Sequence, residues 1–528
     1  MINVANEIKR GFLIRNLKIK KIKEPAKGKM VIRFLTLSML VVLFYGAGIK
    51  LFPPGFDEIR FLREIDLPFL DYVRLVCHDN SNTPVMHSIN WCISHIFGAE
   101  IWHLRFFSFI LMAVSLYYFY SKTRKIWPDN IMGGWAAVCF LLVSYPFIFY
   151  SHWAANAYAM YVLADVILLF FTLDVLCRRK KITSKTAIWV FFIAGLPHYS
   201  MLITWGGAVI LLFLHEAHHQ KLSVLKIFQA VSRMRYTLIT PALISLQFFI
   251  FPPGALIKND RIDIMQGYNY DNSLVGIIKF IALKINDLYM ISASTLHAVE
   301  FTFLALGLIT IGFFVIWRGA KRKCFDKALF IFLAIQIIVM TVFVLLRWHP
   351  LRSKYFPIIT IVNALLLERG LGYLLHIIQH RIKSLNQILR YTSVIIISLT
   401  FIIGTVKYKK YLVKHHHNQR IIESIKQVSE AELVVDEMAL VVFAYHLKRV
   451  YSDFHIVHNE HNRIQNVRFS AQNVICNLFL KNYGYAKQMQ TVEEWRKINA
   501  DYKLTSQACF ADSTYLVVHF LRNGLITD

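Results

Sequence analysis

Acidic residues are scarce in this basic chain, so the place where they gather is the first candidate for chemistry. Asp57, Glu58, Glu64, Asp66, Asp71 and Asp79 fall within one short stretch, and Asp57-Glu58 stands just past Pro53-Pro54-Gly55-Phe56. The apolar run before that break is long enough to enter a membrane, which sets the pair at a lipid–water boundary. A partly desolvated carboxylate at such a boundary holds a proton more readily and can serve as a general base on a hydroxyl or amine. The alternative is a solvated loop face, with the two acids pairing locally to Arg60 and Arg63 at little energetic gain.

Other polar groups fall on the same side of the membrane. Asn82-Thr83-Pro84 opens an apolar, helix-like segment ending at Gly98. Ser151-His152-Trp153 and Asn156 follow a later span, and His198-Tyr199 sits at a break in another apolar stretch, Gly195-Leu196-Pro197-His198. Arg347, His349, Arg352 and Lys354 crowd a short turn between two spans. Arg and Lys together suit a phosphate group, and contact with lipid head groups is the equal alternative.

Two patterns suggest different chemistry. His215-Glu216-Ala217-His218-His219 satisfies H-E-x-x-H, which on a helix sets two imidazoles on one face with a Glu as base, as in zinc proteases. No third ligand accompanies it. Asp165 lies inside an apolar span, where a lone acid often marks an ion path. A transporter would also show internal repeats and midplane helix breaks, and these are not evident. His415-His416-His417 reads as an exposed run beside the membrane. The seven cysteines have no metal-ligand spacing. Cys77, Cys92, Cys476 and Cys509 share the outer side, where a disulfide and free thiols are both open readings. No ligand set for a divalent metal is evident, and metal assistance stays open.

The elements that must position these residues are membrane helices. Hydrophobic residues make up 56% of the chain and charged residues 17%. A spanning helix needs roughly 20 apolar residues, and Phe34–Ile49, Ile131–Tyr150, Phe301–Trp317, Ala328–Leu346 and Tyr391–Val406 are such runs. The expected fold is a polytopic α-helical membrane protein of about eleven transmembrane helices with a small C-terminal α/β extracytoplasmic domain. Residues 1–30 form a basic cytosolic segment that is not a signal peptide, 31–407 the transmembrane domain with an outer loop at 51–100, and 408–528 the C-terminal domain. Residues 187–215 are expected to form two short helices meeting at the break on the outer face. In the tail, Val434–Val435 and Leu516–Val518 read as strands, and Met438–Lys448, Ala471–Lys481 and Thr491–Asn499 have helical spacing.

The net charge of +27 would suit nucleic acid. Its distribution does not. Lys and Arg cluster in short turns between apolar runs, as at Lys122–Lys125, Arg178–Lys181 and Arg318–Lys327. That is the positive-inside pattern, with membrane lipids as partner and no nucleic acid.

In this order the features resemble the GT-C membrane glycosyltransferases that use polyprenyl-phosphate sugars, in particular the protein O-mannosyltransferase and aminoarabinose transferase group. The resemblance covers roughly residues 30–410. Asp57-Glu58 resembles the acidic pair of that family's first outer loop. Asn82-Thr83-Pro84-Val85-Met86 resembles its His-Pro-Pro-Leu-Tyr stretch, and Phe97-Gly98, Arg105 and Ser108 match its Phe-Gly, Arg and Ser positions. Ala155-Asn156-Ala157-Tyr158-Ala159 resembles Ala-Arg-Pro-Tyr-Ala, His198-Tyr199 resembles His-Tyr, and Arg352 to Pro357 resembles an Arg-Tyr-x-x-Pro turn. Ala154, Asn156 and Asn82 depart from the family's Glu, Arg and His.

The resemblance implies a polyprenyl-phosphate sugar donor, a lipid, glycan or protein acceptor, and an inverting displacement. Asp57 would be the base, and Glu58 would orient it or bind acceptor. Arg347, Arg352 and Lys354 would bind the donor phosphate, and Asn82, His152, Asn156, His198 and Tyr199 the substrate. It implies a bacterial cytoplasmic membrane with the site facing outward.

Overall fold

A soluble helix hides its apolar side, whereas a membrane helix turns that side to lipid and keeps its polar residues for its neighbours. The computed structural model describes residues 35–46, 49, 64–79, 83–128, 130, 132–152, 157–219, 224–251, 275–276, 278–279, 299–319, 324–345, 357–381, 431–436, 454–457, 473–479, 493, 496–497, 499–510 and 515–522. Within it the helix α4, Ile101–Ile126, follows the membrane rule. Trp102, Phe106, Ile110, Val114 and Tyr117 form an exposed stripe at spacings of four and three, while Arg105, Ser108, Ser115 and Thr123 are buried on the other side. At 1.5 Å per residue this helix is long enough to cross a hydrocarbon core of about 30 Å.

The element order begins with helical residues 35–41 (α1) running into a π-turn at Val42–Gly46. There follow α2 (Phe69–Asp79), α3 (Pro84–Phe97), α4, α5 (Trp135–Val143), α6 (Tyr145–His152), α7 (Tyr158–Leu176), α8 (Lys185–Ala194) and α9 (Met201–His219). Then come α10 (Val224–Arg233), α11 (Ile239–Ile250), α12 (Val299–Gly319), α13 (Cys324–Leu345) and α14 (Pro357–Arg381). Five described stretches are long and apolar enough to cross a membrane: Ile101–Ile126, Tyr158–Leu176, Thr302–Gly319, Cys324–Val342 and Pro357–Ile378. The apolar run expected near 130–150 is two helices, because Ser144 takes an extended conformation between α5 and α6.

Helix α7 is apolar apart from Asp165, Thr172 and Asp174 and buried on nearly every face, which makes it the centre of the helical core. Helix α12 is the opposite case, with Phe303, Leu304, Phe314 and Trp317 exposed. It crosses α14 at two glycines. A Cβ on Gly312 would collide with the Leu366 carbonyl, and one on Gly370 with the Leu308 carbonyl, so only glycine allows this approach.

Buried charges fasten one end of the bundle. Asp326, fully buried at the start of α13, accepts from Arg369 at 2.8 Å and from the Trp127 indole at 2.9 Å. Glu368 accepts from the Gly134 and Ala137 amides at 2.8 and 3.1 Å, where its charge caps the N-terminus of α5. Lys122 and Asp174 pair at 2.7 Å between α4 and α7.

The tail contains a five-stranded sheet in the order β2-β1-β3-β5-β4. Its strands are β1 (Ala431–Asp436), β2 (Phe454–Val457), β3 (Asn473–Phe479), β4 (Tyr502–Phe510) and β5 (Tyr515–Arg522). β1 pairs in parallel with β2 and β3, while β5 runs antiparallel to β3 and β4. The strands expected at Val434–Val435 and Leu516–Val518 lie in β1 and β5. The helix expected at Ala471–Lys481 is instead strand β3. Its Val474, Cys476 and Leu478 alternate in the sequence, and the backbone pairs them in register with Phe520, Val518 and Leu516 of β5. Cys476 and Cys509 lie on strands separated by β5. Two inter-strand spacings come to roughly 9–10 Å, beyond disulfide reach. Of the Thr491–Asn499 helix, residues 493, 496 and 497 are helical, and Met438–Lys448 lies outside the described residues.

Replacing Gly370 by Val should force α12 and α14 apart, at a cost of about 3 kcal/mol or more. Gly307→Ala, at a position where a Cβ meets nothing within 4 Å, should be silent. Size-exclusion profiles and melting temperatures in detergent distinguish the two.

Candidate functional site

Where a helix stops inside an apolar environment, its last carbonyls lose their partners and others must be found. Helix α8 ends at Ala194, and the chain turns through Gly195–Ser200 before α9 begins, as the Gly-Leu-Pro-His break predicts. The freed carbonyls are taken up by side chains from elsewhere. Gln247 on α11 donates to Gly195 O at 2.9 Å. The Thr83 hydroxyl, at the start of α3, is shared between Leu196 O and Pro197 O, the latter at 3.0 Å. One turn earlier, Thr240 donates to Phe191 O at 2.6 Å. The break is thereby clamped between α3 and α11.

This clamp gathers parts of three of the segments that the family resemblance singles out. Met86 of α3 packs with Ala157 and Met160, and Val85 and Leu196 pack against the same group. Residues 83–86, 157–158 and 196–199, over a hundred positions apart at the extremes, thus meet at one place. His198 is buried and stacks on Tyr161 with centroids 6.0 Å apart and planes 6° from parallel. The Ser200 amide donates to its Nδ1 at 2.9 Å, so the ring proton belongs on Nε2 and the ring is neutral. Tyr199 meets Phe248 of α11 edge-on at 5.9 Å.

The matched Arg105 is also explained. Its side chain is 1% exposed, and Nη1 donates to Ile49 O at 3.4 Å. Tyr45 donates to Leu141 O at 3.2 Å. The first helix is therefore fixed to α4 and α5 near its exit, eight residues before Asp57 in the sequence.

Asp57, Glu58, Asn82, Asn156, Arg347, Arg352 and Lys354 lie outside the described residues, and His152 is described only as part of α6. Of the expected site residues, His198 and Tyr199 are placed with their side chains, both at the clamped break.

One feature of α3 escaped the sequence reading. Thr83, His87, Asn90 and Ser94 recur at spacings of four, three and four, and all are buried. They form a polar stripe turned inward on a helix whose Ile96 and Phe97 are exposed. That periodicity was available in the sequence. Burial pushes the His87 imidazole down to about 3, so it is neutral at physiological pH.

The alternative motifs can also be located. His215 and Glu216 lie near the end of α9, and Glu216 pairs with Arg233 at 3.7 Å. Among the described residues no group of three His, Cys, Asp or Glu side chains is gathered to hold a metal. Asp165 is fully buried on α7, with the Thr204 hydroxyl and the Ile358 amide as polar neighbours. Neither of its oxygens completes a hydrogen bond at full geometry among the described residues.

No family model and no curated protein sequence matches the chain. Among solved structures, it is similar to ArnT from Cupriavidus metallidurans bound to undecaprenyl phosphate. The identity is 12% and the TM-score 0.49, over 94% of this chain and 98% of that one. It is also similar to the archaeal oligosaccharyltransferase AglB from Archaeoglobus fulgidus in complex with an inhibitory peptide and a dolichol-phosphate. There the identity is 12% and the TM-score 0.43, over 92% of this chain and 73% of that one. Likenesses at these scores assign neither a fold family nor an activity.

Thr83→Val should leave the Leu196 and Pro197 carbonyls unserved and cost about 1–3 kcal/mol, while Thr83→Ser should retain most of the stability. Thermal unfolding in detergent measures both. A second outcome concerns pH. The folded pKa of His87 lies below the unfolded value of about 6.5, so its stability is complete above pH 6.5 and is lost as pH falls toward 3. Between pH 6.5 and 5 the loss should reach about 2 kcal/mol. His87→Asn should flatten that part of the melting-temperature curve.

Proposed function

We propose that this chain is a multi-pass membrane glycosyltransferase of the GT-C type, moving a sugar from a polyprenyl-phosphate donor to an acceptor on the outer face of the membrane. The observation that carries the reading is the convergence of residues 83–86, 157–158 and 196–199 at the clamped break. Thr83–Met86, Ala157-Tyr158 and His198-Tyr199 of these segments were picked out by resemblance to one family's motifs, and nothing in their sequence separation requires the segments to meet. Membrane-spanning helices with inward polar stripes suit an enzyme whose donor arrives through lipid.

The reaction is a displacement at the anomeric carbon. The acceptor hydroxyl or amine attacks from the face opposite the phosphate, its proton passes to Asp57, and the bond between the anomeric carbon and the phosphate oxygen breaks. The sugar's configuration inverts. Polyprenyl phosphate leaves already charged and needs little acid help, so the group to stabilise is its growing negative charge. Arg347, Arg352 and Lys354 serve that purpose as a cationic turn. Glu58 orients Asp57 or holds acceptor. Asn82, His152, Asn156, His198 and Tyr199 line the sugar and acceptor side. The anchoring of the first helix through Arg105 supports this scheme, because it fixes the root of the loop that carries Asp57.

The sugar is a hexose or pentose, and the acceptor a lipid, glycan or protein. The setting is a bacterial cytoplasmic membrane with residues 408–528 outside. A divalent metal is not required by the scheme.

Asp57→Asn should lower transfer from a polyprenyl-phosphate sugar by about a hundred- to ten-thousand-fold with expression and melting temperature unchanged. Arg352→Ala should chiefly raise the KM for the donor, by roughly tenfold or more, as expected for loss of a charge-assisted phosphate contact. Radiolabelled sugar transfer in proteoliposomes measures both, and full activity of the Asn variant removes Asp57 from the mechanism.

A further inference from the structure

Two thiols that the proposed reaction does not use lie side by side at the basic end of the helix bundle. Cys177 follows the last residue of α7, and Cys324 opens α13, 147 positions later in the sequence. The Cys324 thiol reaches the carbonyl of Leu176, the residue before Cys177, at 3.8 Å, which sets the two sulfurs near each other. Neither is in a disulfide. Cys324 is exposed and Cys177 half-buried.

The chain is held firmly on both sides of this contact. After Cys177 the backbone enters a tight turn, with Arg178 at φ 57°, and the Arg179 and Lys180 amides both return to Asp174 O at 2.8 and 3.2 Å. The Arg179 guanidinium lies 4.2 Å over the ring of Phe325, the residue next to Cys324. The turn after α7 and the start of α13 are thus fastened together on either side of the sulfur pair. Burial holds the Cys177 thiol above its ordinary range, which keeps it protonated and slow to react by itself.

We propose that Cys177 and Cys324 form an oxidative modification site, a dithiol that a peroxide converts to an intramolecular disulfide joining α7 to α13. Exposure sets the order of events. The Cys324 sulfur attacks the peroxide O–O bond and takes one oxygen as a sulfenic acid, and the other leaves as water. The Cys177 sulfur then attacks the Cys324 sulfur, the S–O bond breaks, and the Cys177 proton leaves with the hydroxide as a second water. Two thiols and one hydrogen peroxide give one disulfide and two waters. A disulfide needs its two Cα atoms within roughly 7 Å, and two cysteines brought together by a thiol on the neighbouring carbonyl and a fastened turn are suited to that without unfolding either helix.

The test is made on the full chain, purified in detergent with reductant and then freed of it. The protein is exposed to hydrogen peroxide, alkylated with iodoacetamide and digested for mass spectrometry. The expected result is a Cys177–Cys324 linked peptide with loss of both free thiols, reversed by dithiothreitol. Cys177→Ser should leave Cys324 as a sulfenic acid that a dimedone probe captures, and Cys324→Ser should leave Cys177 unmodified. Should either variant fail to fold, the wild-type peptide map decides alone. Cys324 found oxidised without linkage to Cys177, linked to another cysteine, or still alkylated in full after peroxide overturns the proposal.

Discussion

The carbonyls of Gly195, Leu196 and Pro197 are the point on which this structure turns. In lipid a backbone group without a partner costs several kcal/mol, so a helix can break there only where other elements supply donors. Gln247 and Thr83 supply them from helices on two sides. Once made, these bonds do more than satisfy the break. They draw the start of α3 against the turn before α9, seat Met86 on the start of α7, and leave His198 buried in a neutral form against Tyr161. The junction lies at the same end of the bundle as the exit of the first helix, which Arg105 holds through Ile49. A rigid junction of this kind suits the proposed transfer reaction, since misplacement by an ångström at a reacting centre is costly.

The opposite end of the bundle is held by charge. Asp326 takes two donors, Glu368 caps α5, and Lys122 pairs with Asp174. Buried pairs of this kind add little net stability compared with apolar packing, but breaking one strands a charge. Together with the glycine crossing of α12 and α14 they fix how the helices pack, at the end where the basic turns gather. The two ends therefore differ in kind. One is locked by ion pairs beside basic turns, and the other by neutral hydrogen bonds beside a polar stripe and a break.

The sequence made the helices and the break legible because their signals are local. Apolar length marks a span, and Gly-Leu-Pro-His marks an interruption whatever lies around it. Strands β1 and β5 were legible for the same reason. Residues 473–479 were misread because Ala471, Val474, Ile475, Leu478 and Phe479 fall at helical spacing while Val474, Cys476 and Leu478 alternate as in a strand, and only pairing with β1 and β5 decides. The division of 130–150 at Ser144 was legible in Pro146, which suits the first turn of a new helix and interrupts a continuing one, but the apolar run on both sides hid it. The inward stripe Thr83, His87, Asn90 and Ser94 was readable, but a polar spacing within an apolar helix has no direction until a neighbour is known. What sequence alone could not supply was the meeting of positions 83, 157 and 196. Those contacts depend on three helices packing together, and family resemblance linked them only by order along the chain.

The most direct test of the whole account is whether this protein carries the lipid that the proposed reaction consumes and releases. Native mass spectrometry of the full chain, extracted in mild detergent and supplied with undecaprenyl phosphate, reads binding independently of any sugar or acceptor. The account predicts one tightly held polyprenyl phosphate per chain, displaced by unlabelled lipid and weakened when Arg352 and Lys354 are both replaced by Ala. Binding no stronger than that of phosphatidylglycerol, or unaffected by those two substitutions, would contradict it.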